Sequence, residues 1–442
     1  MTKTDRNFAT QLKEKLIQKG LEQRLQNIHD APPRVDGAVR EDIPEAFTRF
    51  DRQPGYQQIH LLREGAERFG VTSPFFHVHE GTAGAHSAIA GRQVINFGSY
   101  NYLGLSGHPE VNNAAQTAIT QYGSSVSASR IVAGERPLHR QLEKSLADFY
   151  GVDDALTLVS GHATNVTTIG HLLGPRDLIL HDEYVHNSII QGALLSGAQR
   201  LSFPHNDLAA LDTLLQQQRR KAERVLIVVE GMYSMDGDFP DLPQLIALKK
   251  WHQVWLMVDE AHSFGVMGAT GRGIAEHFRV DPHEVDIWMG TLSKTLAACG
   301  GYIAGEQALI DNLRYLAPGF LYSVGLAPPL AAAALAALNI LKNEPERVRT
   351  LQERGRYFLE AARQLQMDTG LSTGYAITPL IVGNSLQAVR LSAALLAQGV
   401  HVQPILYPAV PEKQARLRFF LNVEHTLEEL QYSLSTLKTH IS

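Results

Sequence analysis

From about residue 90, short β-rich runs alternate with longer helical stretches, and this alternation restricts the possible folds more than any other feature. It predicts an α/β fold whose mainly parallel sheet is covered by helices on both faces. A sheet of this kind binds its ligand at the carboxyl ends of its strands. The strands are predicted at 155–159, 178–181, 224–230, 254–259, 287–289 and 302–304, and the helices at 138–149, 206–218, 242–252 and 307–316.

The rest of the chain predicts an N-terminal extension and a smaller C-terminal domain. Apolar residues at near-helical spacing predict an amphipathic helix within the first thirty residues, and the proline-containing segment 31–56 predicts an irregular connection. After an alanine-rich helix near 329–342, strands are predicted at 377–382, 401–406 and 417–422, with helices at 385–397 and 426–438. We therefore predict a helix and extension over 1–92, a large domain over 93–343 and an α+β domain over 344–442.

Composition excludes several classes of protein. The 442-residue chain is 44% hydrophobic and 19% charged with a formal net charge of -5, which does not suggest a nucleic-acid binder. Cys299 is the single cysteine, so an intrachain disulfide is impossible and a reducing compartment is the simplest location. The charged N-terminus lacks a signal sequence, and the longest apolar stretch is shorter than the ~20 residues that span a bilayer. We expect a cytoplasmic protein without a transmembrane segment.

Two predicted strands end in residues that carry chemistry. Asp259 follows an apolar strand and is the first residue of Asp-Glu-Ala-His, and Lys294 closes Gly-Thr-Leu-Ser-Lys after the next strand. The helicase that such an acidic box can indicate needs a phosphate-binding loop with Gly-Lys, a dipeptide that this sequence lacks. A partly desolvated lysine can lose its proton and attack an aldehyde, and an acid nearby can keep a pyridine nitrogen protonated. The pair favours pyridoxal-phosphate chemistry.

A phosphate site is also predicted. The segment Ser-Gly-His-Ala-Thr-Asn from Ser160 to Asn165 lies between a predicted strand and a helix, and Thr291 offers a hydroxyl near the lysine. Backbone amides at the start of a helix bind anions. Turns of this type are common in α/β proteins, so the signal is weak alone.

Seven motifs in order resemble one family, the α-oxoamine synthases of the fold-type I pyridoxal-phosphate superfamily. The resemblance runs from about residue 93 to residue 437. It rests on the motifs at 101–105, 160–162, 186–189, 230–237, 259–262, 290–294 and 416–418. It implies a fold-type I transferase with pyridoxal 5'-phosphate as cofactor.

The resemblance also implies a role for each matching residue. Lys294 would form the Schiff base with the cofactor and later remove the Cα proton. Asp259 would pair with the pyridine nitrogen, and His186 would stack on the ring and help to hold the substrate carboxylate. His262 and Ser234 would bond the phenolic oxygen.

The implied phosphate ligands are Gly161 and His162, through the backbone, and the hydroxyl of Thr291. Ser323 matches a position that reaches the phosphate of the neighbouring subunit, which implies a homodimer with a shared active site.

Arg416 and Arg418 share one face of a strand because they are two residues apart. Either could clamp the amino acid's carboxylate, and we expect Arg418 to do so, following the family motif. His77 and His79 could suggest a metal site, but no carboxylate or cysteine cluster supports one, so we predict no metal.

The predicted reaction is a decarboxylative Claisen-type condensation of a small amino acid with an acyl thioester. Tyr100 replaces the asparagine usual in glycine- and alanine-using members, and this part of the chain resembles serine palmitoyltransferases, which favours L-serine. The run from Gly123 to Arg130 looks instead like synthases of natural-product and polyketide pathways, so the donor could be acyl-CoA or an acyl-carrier protein.

Other activities remain open at this point. An 8-amino-7-oxononanoate synthase or a 2-amino-3-ketobutyrate CoA ligase would share these motifs, and a fold-type I aminotransferase would share Asp259 and Lys294. A non-catalytic partner subunit of the family would be expected to lack Lys294.

Overall fold

The computed structural model describes residues 43–68 and 73–441. The helix predicted within the first thirty residues therefore lies outside the described residues. The chain divides into two units, Met1–Gly70 and Val71–Ser442. The described part of the first unit contains helix α1 (Glu45–Thr48), a 3₁₀ turn (Phe50–Arg52) and helix α2 (Pro54–Arg68). The irregular connection predicted over 31–56 is wrong in this part, because a proline precedes or opens each helix, where its fixed φ favours a helical start.

The second unit contains fourteen strands in its described residues. They are β1 (His79–Glu80), β2 (His86–Ile89), β3 (Arg92–Asn96), β4 (Asp154–Leu158), β5 (Leu178–Asp182), β6 (Gln199–Phe203), β7 (Val225–Glu230), β8 (Trp255–Asp259), β9 (Ile287–Thr291), β10 (Gly301–Gly305), β11 (Ile377–Gly383), β12 (Val400–His401), β13 (Gln403–Ile405) and β14 (Ala415–Phe420).

Helices of the same unit follow or connect these strands. They are α3 (Pro109–Tyr122), α4 (Pro137–Tyr150), α5 (Gly161–Leu172), α6 (Asn187–Ser196), α7 (Leu208–Gln218), α8 (Leu242–His252), α9 (Ile274–Phe278), α10 (Gln307–Leu316), α11 (Pro318–Leu321), α12 (Pro328–Asn343), α13 (Glu346–Gln364), α14 (Ser385–Ala397) and α15 (Leu427–Ile441). Short 3₁₀ or π turns lie at Arg130–Gly134, Arg219–Lys221, Pro282–Glu284 and Glu412–Gln414.

The main sheet has seven strands in the order β4-β10-β9-β8-β7-β5-β6. Strands β9, β8, β7, β5 and β6 are parallel, and β10 is antiparallel to both β4 and β9. The mainly parallel sheet predicted from the sequence is thus confirmed. Each predicted strand of this sheet lies within two residues of an observed one.

Both faces of this sheet are buried. Along β7, Ile227 and Val229 pack in one hydrophobic cluster, whereas Leu226 and Val228 pack in the other. Successive side chains of a strand point to opposite faces, so a strand buried on both sides reads as a continuous apolar run. This is why Val-Leu-Ile-Val-Val precedes the acid that ends the strand.

Two smaller sheets complete the second unit. One has the order β1-β2-β3-β12 and the other the order β11-β14-β13. The single strand predicted over 401–406 is wrong, because the chain changes sheets there: β12 pairs with β3, and β13 pairs with β14. The domain boundaries predicted at 92 and 343 stay a prediction.

None of the described helices is long and apolar enough to cross a bilayer.

Candidate active site

Two buried acids end neighbouring parallel strands. Glu230 is the last residue of β7 and pairs in register with Asp259, the last residue of β8. Asp259 also pairs in register with Met289 of β9, the strand whose following loop carries Lys294. The sheet therefore places both acids and the loop of the lysine at its carboxyl edge, as the sequence predicted.

Asp259 is held by a chain of hydrogen bonds that reaches His186. Asn165 Nδ2 donates to Asp259 Oδ2 and to Ser188 Oγ, both at 2.9 Å. His186 Nδ1 lies 2.7 Å from Ser188 Oγ and accepts from the Ser188 amide at 3.3 Å. Because Nδ1 accepts in this arrangement, a neutral His186 carries its proton on Nε2. The Ala261 amide donates to Asp259 Oδ1 at 3.0 Å, so both oxygens of this buried carboxylate are engaged.

Asn165 and Ser188 are functional residues to which the sequence reasoning gave no role. Each lies in a family motif or next to one, at the start of α5 or α6, and both are buried. Each is a buried polar side chain near the start of a helix, and burial requires a partner, but the sequence alone does not show that burial.

Lys294 has the electrostatics of a nucleophilic amine. The pKa of Lys294 is lowered to about 8, chiefly by burial and also by the charge of Arg418, while the carboxylates of Asp259 and Glu230 act in the opposite direction. The amine lies 5.6 Å from the centre of the Tyr100 ring. A lowered pKa leaves a useful fraction of neutral amine near neutral pH, which an attack on an aldehyde requires.

Glu230 is a second acid of the site that the sequence reasoning quoted only within a motif. It is buried, and burial followed by repulsion from Asp259 raises the pKa of Glu230 to about 8. Its Oε2 accepts from the Ser234 amide at 3.3 Å, whereas its Oε1 has no hydrogen-bond partner. The buried acid is therefore protonated over much of the neutral range, unlike an exposed glutamate.

His262 is held in place by two aromatic residues. Its Nδ1 lies 2.6 Å from the hydroxyl of Tyr102, and its ring stacks on Phe420 with centroids 6.2 Å apart. Burial and then the charges of Lys294 and Arg418 hold the pKa of His262 well below its usual value. The imidazole is neutral, so it can accept or donate one hydrogen bond without adding a charge.

The predicted phosphate site lies where α5 begins. Ser160 caps the helix by accepting from the Ala163 amide at 3.0 Å, and the first helical bond runs from Thr164 to the Ser160 carbonyl. The amides of Gly161 and His162 precede that bond, where helix amides point outward. A Cβ on Gly161 would lie 3.0 Å from Thr291 Oγ1, which brings this turn against the strand that carries the threonine.

The two predicted arginines lie on β14 in different environments. Arg416 forms a buried ion pair with Asp236, with Nη1 2.9 Å from Oδ1. Arg418 Nη1 donates to the Ser234 carbonyl at 2.9 Å, and its guanidinium stacks on the Phe420 ring at 4.6 Å. In the described part of the chain Arg418 forms no ion pair, and its buried Nε has no partner.

Ser323 is the one predicted site residue that the structure does not bring to this cluster. It follows α11 and lines a separate small cavity with Arg130 and Phe320. Its assignment to the phosphate of a neighbouring subunit stays a prediction.

These residues fit pyridoxal phosphate. They include a lysine with a lowered pKa, a carboxylate whose position is fixed by Asn165, and a helix start with a neighbouring hydroxyl. The cofactor requires an amine to attach to, an acid for its pyridine nitrogen and amides for its phosphate.

This chain is similar to known proteins over most of its length. Residues 92–437 match the aminotransferase class I and II family. The 8-amino-7-oxononanoate synthase of Thermoanaerobacter pseudethanolicus is 38% identical over 357 residues, which cover 81% of this chain and 90% of that protein. The serine palmitoyltransferase of Bacteroides thetaiotaomicron is 38% identical over 364 residues, which cover 82% of this chain and 92% of that protein.

The fold is similar to that of a solved relative. The serine palmitoyltransferase of Sphingomonas wittichii superposes with a TM-score of 0.84 at 30% identity, covering 88% of this chain and 97% of that one. The expected fold-type I architecture is confirmed. The chain therefore belongs to the class I and II aminotransferase family and, within it, to the pyridoxal-phosphate-dependent α-oxoamine synthases.

Proposed function

We propose that this enzyme condenses a small amino acid, with L-serine favoured, with an acyl thioester, and that it releases an α-amino ketone, CO2 and a free thiol. The observation that carries the proposal is the environment of Arg418, a half-buried guanidinium whose buried Nε has no partner, which forms no ion pair with the described residues, and whose charge acts on the nearby Lys294. A partly buried cation of this kind calls for an anion, and a planar guanidinium fits a carboxylate. The amino acid substrate supplies one.

Lys294 both attaches the cofactor and moves the proton. Its neutral amine, favoured by the lowered pKa, is the group that removes the proton from the substrate Cα. Bound pyridoxal phosphate supplies an electron sink for the resulting charge. Asp259, with both oxygens hydrogen-bonded by protein groups, is held in place and would pair with the pyridine nitrogen of the bound cofactor.

His186 is a second group that binds the substrate carboxylate. Because its Nδ1 accepts from Ser188, its Nε2–H is free to donate to the substrate carboxylate. Burial lowers the pKa of His186, and so does the charge of Lys294. The carboxylate is thus bound by one neutral donor here and by the charged Arg418.

The bond changes of the proposed reaction balance without an external oxidant or reductant. Cα loses its proton and forms a bond to the thioester carbonyl carbon, and the carbon–sulfur bond breaks as the thiol leaves. The carboxylate then leaves as CO2, and a proton returns to Cα. An aminotransferase would release no CO2.

The amino acid and the donor are the open part of the proposal. Tyr100, which lies over Lys294 and against Phe420, supports serine, following the resemblance to serine palmitoyltransferases. A second candidate is the reaction of an 8-amino-7-oxononanoate synthase, favoured by relatives of that name that are 38–42% identical to this chain. The donor would be an acyl-CoA or an acyl-carrier protein.

We also propose a cytoplasmic homodimer. Ile131, Val132, Tyr322 and Val324 are exposed apolar residues, and a β-bridge between Ser129 and Val324 holds the two segments together. Apolar residues clustered in this way are typical of a surface that a second copy covers. Ser323 lies between two of them, which supports the prediction that it serves the neighbouring subunit.

The test is CO2 release from carboxyl-labelled serine, glycine and alanine, each with acyl-CoA and with acyl-carrier thioesters. We expect release that requires both substrates and is fastest with serine. Exchange of the amine with a keto acid, without CO2, would contradict the proposal.

A further inference from the structure

A cavity of about 200 Å³ opens beside the proposed carboxylate clamp. Its walls include Arg418 and Tyr100, and the same Tyr100 ring lies 5.6 Å from the amine of Lys294. A group bound in this cavity is therefore separated from the proposed reaction centre by the thickness of one side chain.

The other walls are mostly aromatic rings and imidazoles, with one glycine and one side-chain amide: Phe76, His77, His79, His401, Phe420, Gly98 and Gln403. The His79 and His401 rings meet edge to face with centroids 4.6 Å apart, and His401 Nδ1 lies 3.1 Å from Asn96 Oδ1. Burial lowers the pKa of His79, and it lowers the pKa of His401 to about 4. Near neutral pH these two imidazoles are uncharged. Once a carboxylate occupies Arg418, the cavity offers weakly polar walls and little net charge.

The volume exceeds the needs of a small amino acid. At roughly 30 Å³ for each methylene-sized group, the share that a water molecule takes, the cavity holds about six or seven such groups. The side chain of serine has only two heavy atoms. The remaining volume is suited to part of the second substrate.

Phe76 gives an independent indication of an apolar occupant. Its side chain is fully exposed at the rim of the cavity, and its backbone has φ 62°, in the left-handed region that bulky residues avoid. The fold thus holds an aromatic ring where it has little to pack against among the described residues. An alkyl chain in the cavity would bury the ring.

We propose that this cavity binds the acyl part of the thioester donor, and that its aromatic and imidazole walls select an alkyl chain without charge over about its first four or five carbons, the space that remains beside the serine side chain. The inference rests on the proposed function and specifies its second substrate. The shared chemistry of the two possible donors, CoA and a carrier protein, is the acyl thioester itself. The cavity is assigned to the acyl group and not to the carrier.

The test uses acyl thioesters of N-acetylcysteamine, which lack both carriers, with chains of two to twelve carbons and saturating L-serine. In the wild-type enzyme we expect kcat/KM to rise about three- to fourfold per added methylene, up to about four or five, and then to level off. A chain that ends in a carboxylate within that length should react more slowly than the methyl-ended chain of equal length. The CoA and carrier-protein thioesters of the best chain then identify the natural carrier.

Two variants change the cavity and one matched variant does not. His77→Trp fills it and should move the plateau to shorter chains. Phe76→Gly removes the rim ring and relieves the left-handed backbone, and should lower kcat/KM for an eight-carbon donor about three- to tenfold. Val78→Ala changes an exposed neighbour outside the cavity and should leave the chain-length profile unchanged.

The outcomes separate this inference from the proposed function. If wild-type protein releases CO2 but all variants keep one chain-length profile, or if the carboxylate-ended donor is preferred, the cavity is not the acyl site although the proposed function stands. If wild-type protein releases no CO2 with any donor, both fail. Profiles that shift in His77→Trp and Phe76→Gly alone support the inference.

Discussion

Arg416 and Arg418 lie two residues apart on one strand, the first buried and the second half-buried, and their partners differ. Arg416 is neutralised within the protein by Asp236 at 2.9 Å and by the carbonyl of Gln414 at 3.1 Å. Arg418 receives one carbonyl and the face of an aromatic ring. The spacing alone left open which arginine clamps a carboxylate, and the difference in partners supports our proposal that Arg418 does so.

The difference shows how one strand can serve structure and function together. A buried ion pair such as Arg416–Asp236 contributes to stability mainly because removing either partner leaves an unpaired charge. A partly buried cation that lacks an ionic partner is costly to the free protein, and an anionic ligand lowers that cost by binding. Arg416 therefore stabilises the folded protein, whereas Arg418 takes part in the proposed reaction.

The largest expected effect is on stability. Arg416→Ala should lower the free energy of unfolding by about 3–5 kcal/mol, because Asp236 is left buried and unpaired. Denaturant unfolding of the cofactor-loaded protein measures it. The double variant Arg416→Ala/Asp236→Ala should lose less than the sum of the two single variants. Strict additivity would mean that the two residues do not act as a pair.

Arg418→Ala should affect activity more than stability, in contrast to Arg416→Ala. We expect kcat/KM for the amino acid to fall about 100- to 1000-fold, because one buried charge-assisted contact to the carboxylate is worth roughly 3–4 kcal/mol. The loss of unfolding free energy should be smaller than in Arg416→Ala. Steady-state kinetics and spectral titration with the amino acid check this. Nearly full activity in Arg418→Ala would overturn the distinction between the two arginines.

Arg418→Lys sharpens the same comparison. Lysine keeps the positive charge but lacks the planar fork, so we expect a loss of about tenfold, between wild type and Arg418→Ala. The loss should fall mainly on KM for the amino acid. The matched variant Arg416→Lys should leave KM unchanged and act on stability instead.

The smallest expected effect concerns Lys294, which is also near Arg418. Attachment of pyridoxal phosphate to the cofactor-free protein should become faster as pH rises through about 8, because the neutral amine is the nucleophile. Glu230 ionises near the same pH, since its pKa is raised to about 8, and its negative charge then raises the pKa of Lys294, so Glu230→Gln should move this midpoint to lower pH. Stopped-flow absorbance gives the profile, and a midpoint that moves upward would contradict the sign.

Sequence patterns predicted the strands of the main sheet better than the strand pairing near residues 401–406. The apolar runs that end in Glu230 and Asp259 are buried on both faces, so pattern and structure agree there. The strand predicted over 401–406 failed because a single extended run can pair first with one sheet and then with another, which only tertiary contacts decide.

In the candidate active site, too, the sequence indicated some residues and not others. Lys294, Asp259 and His186 could be predicted because each carries reactive chemistry within a motif. Asn165 could not be assigned a role, because a hydrogen bond between residues 94 positions apart leaves no local signal in the sequence. The protonated state of Glu230 likewise depends on burial beside Asp259 and not on its neighbours along the chain.

The most direct test of the account is to locate the cofactor's attachment. Protein loaded with pyridoxal phosphate would be reduced with borohydride, digested and sequenced by mass spectrometry, with Lys294→Ala and the matched variant Lys342→Ala treated in parallel. We expect a phosphopyridoxyl group on Lys294 in wild type and in Lys342→Ala, and none in Lys294→Ala. Modification of another lysine, or its persistence in Lys294→Ala, would contradict the central claim that Lys294 attaches the cofactor.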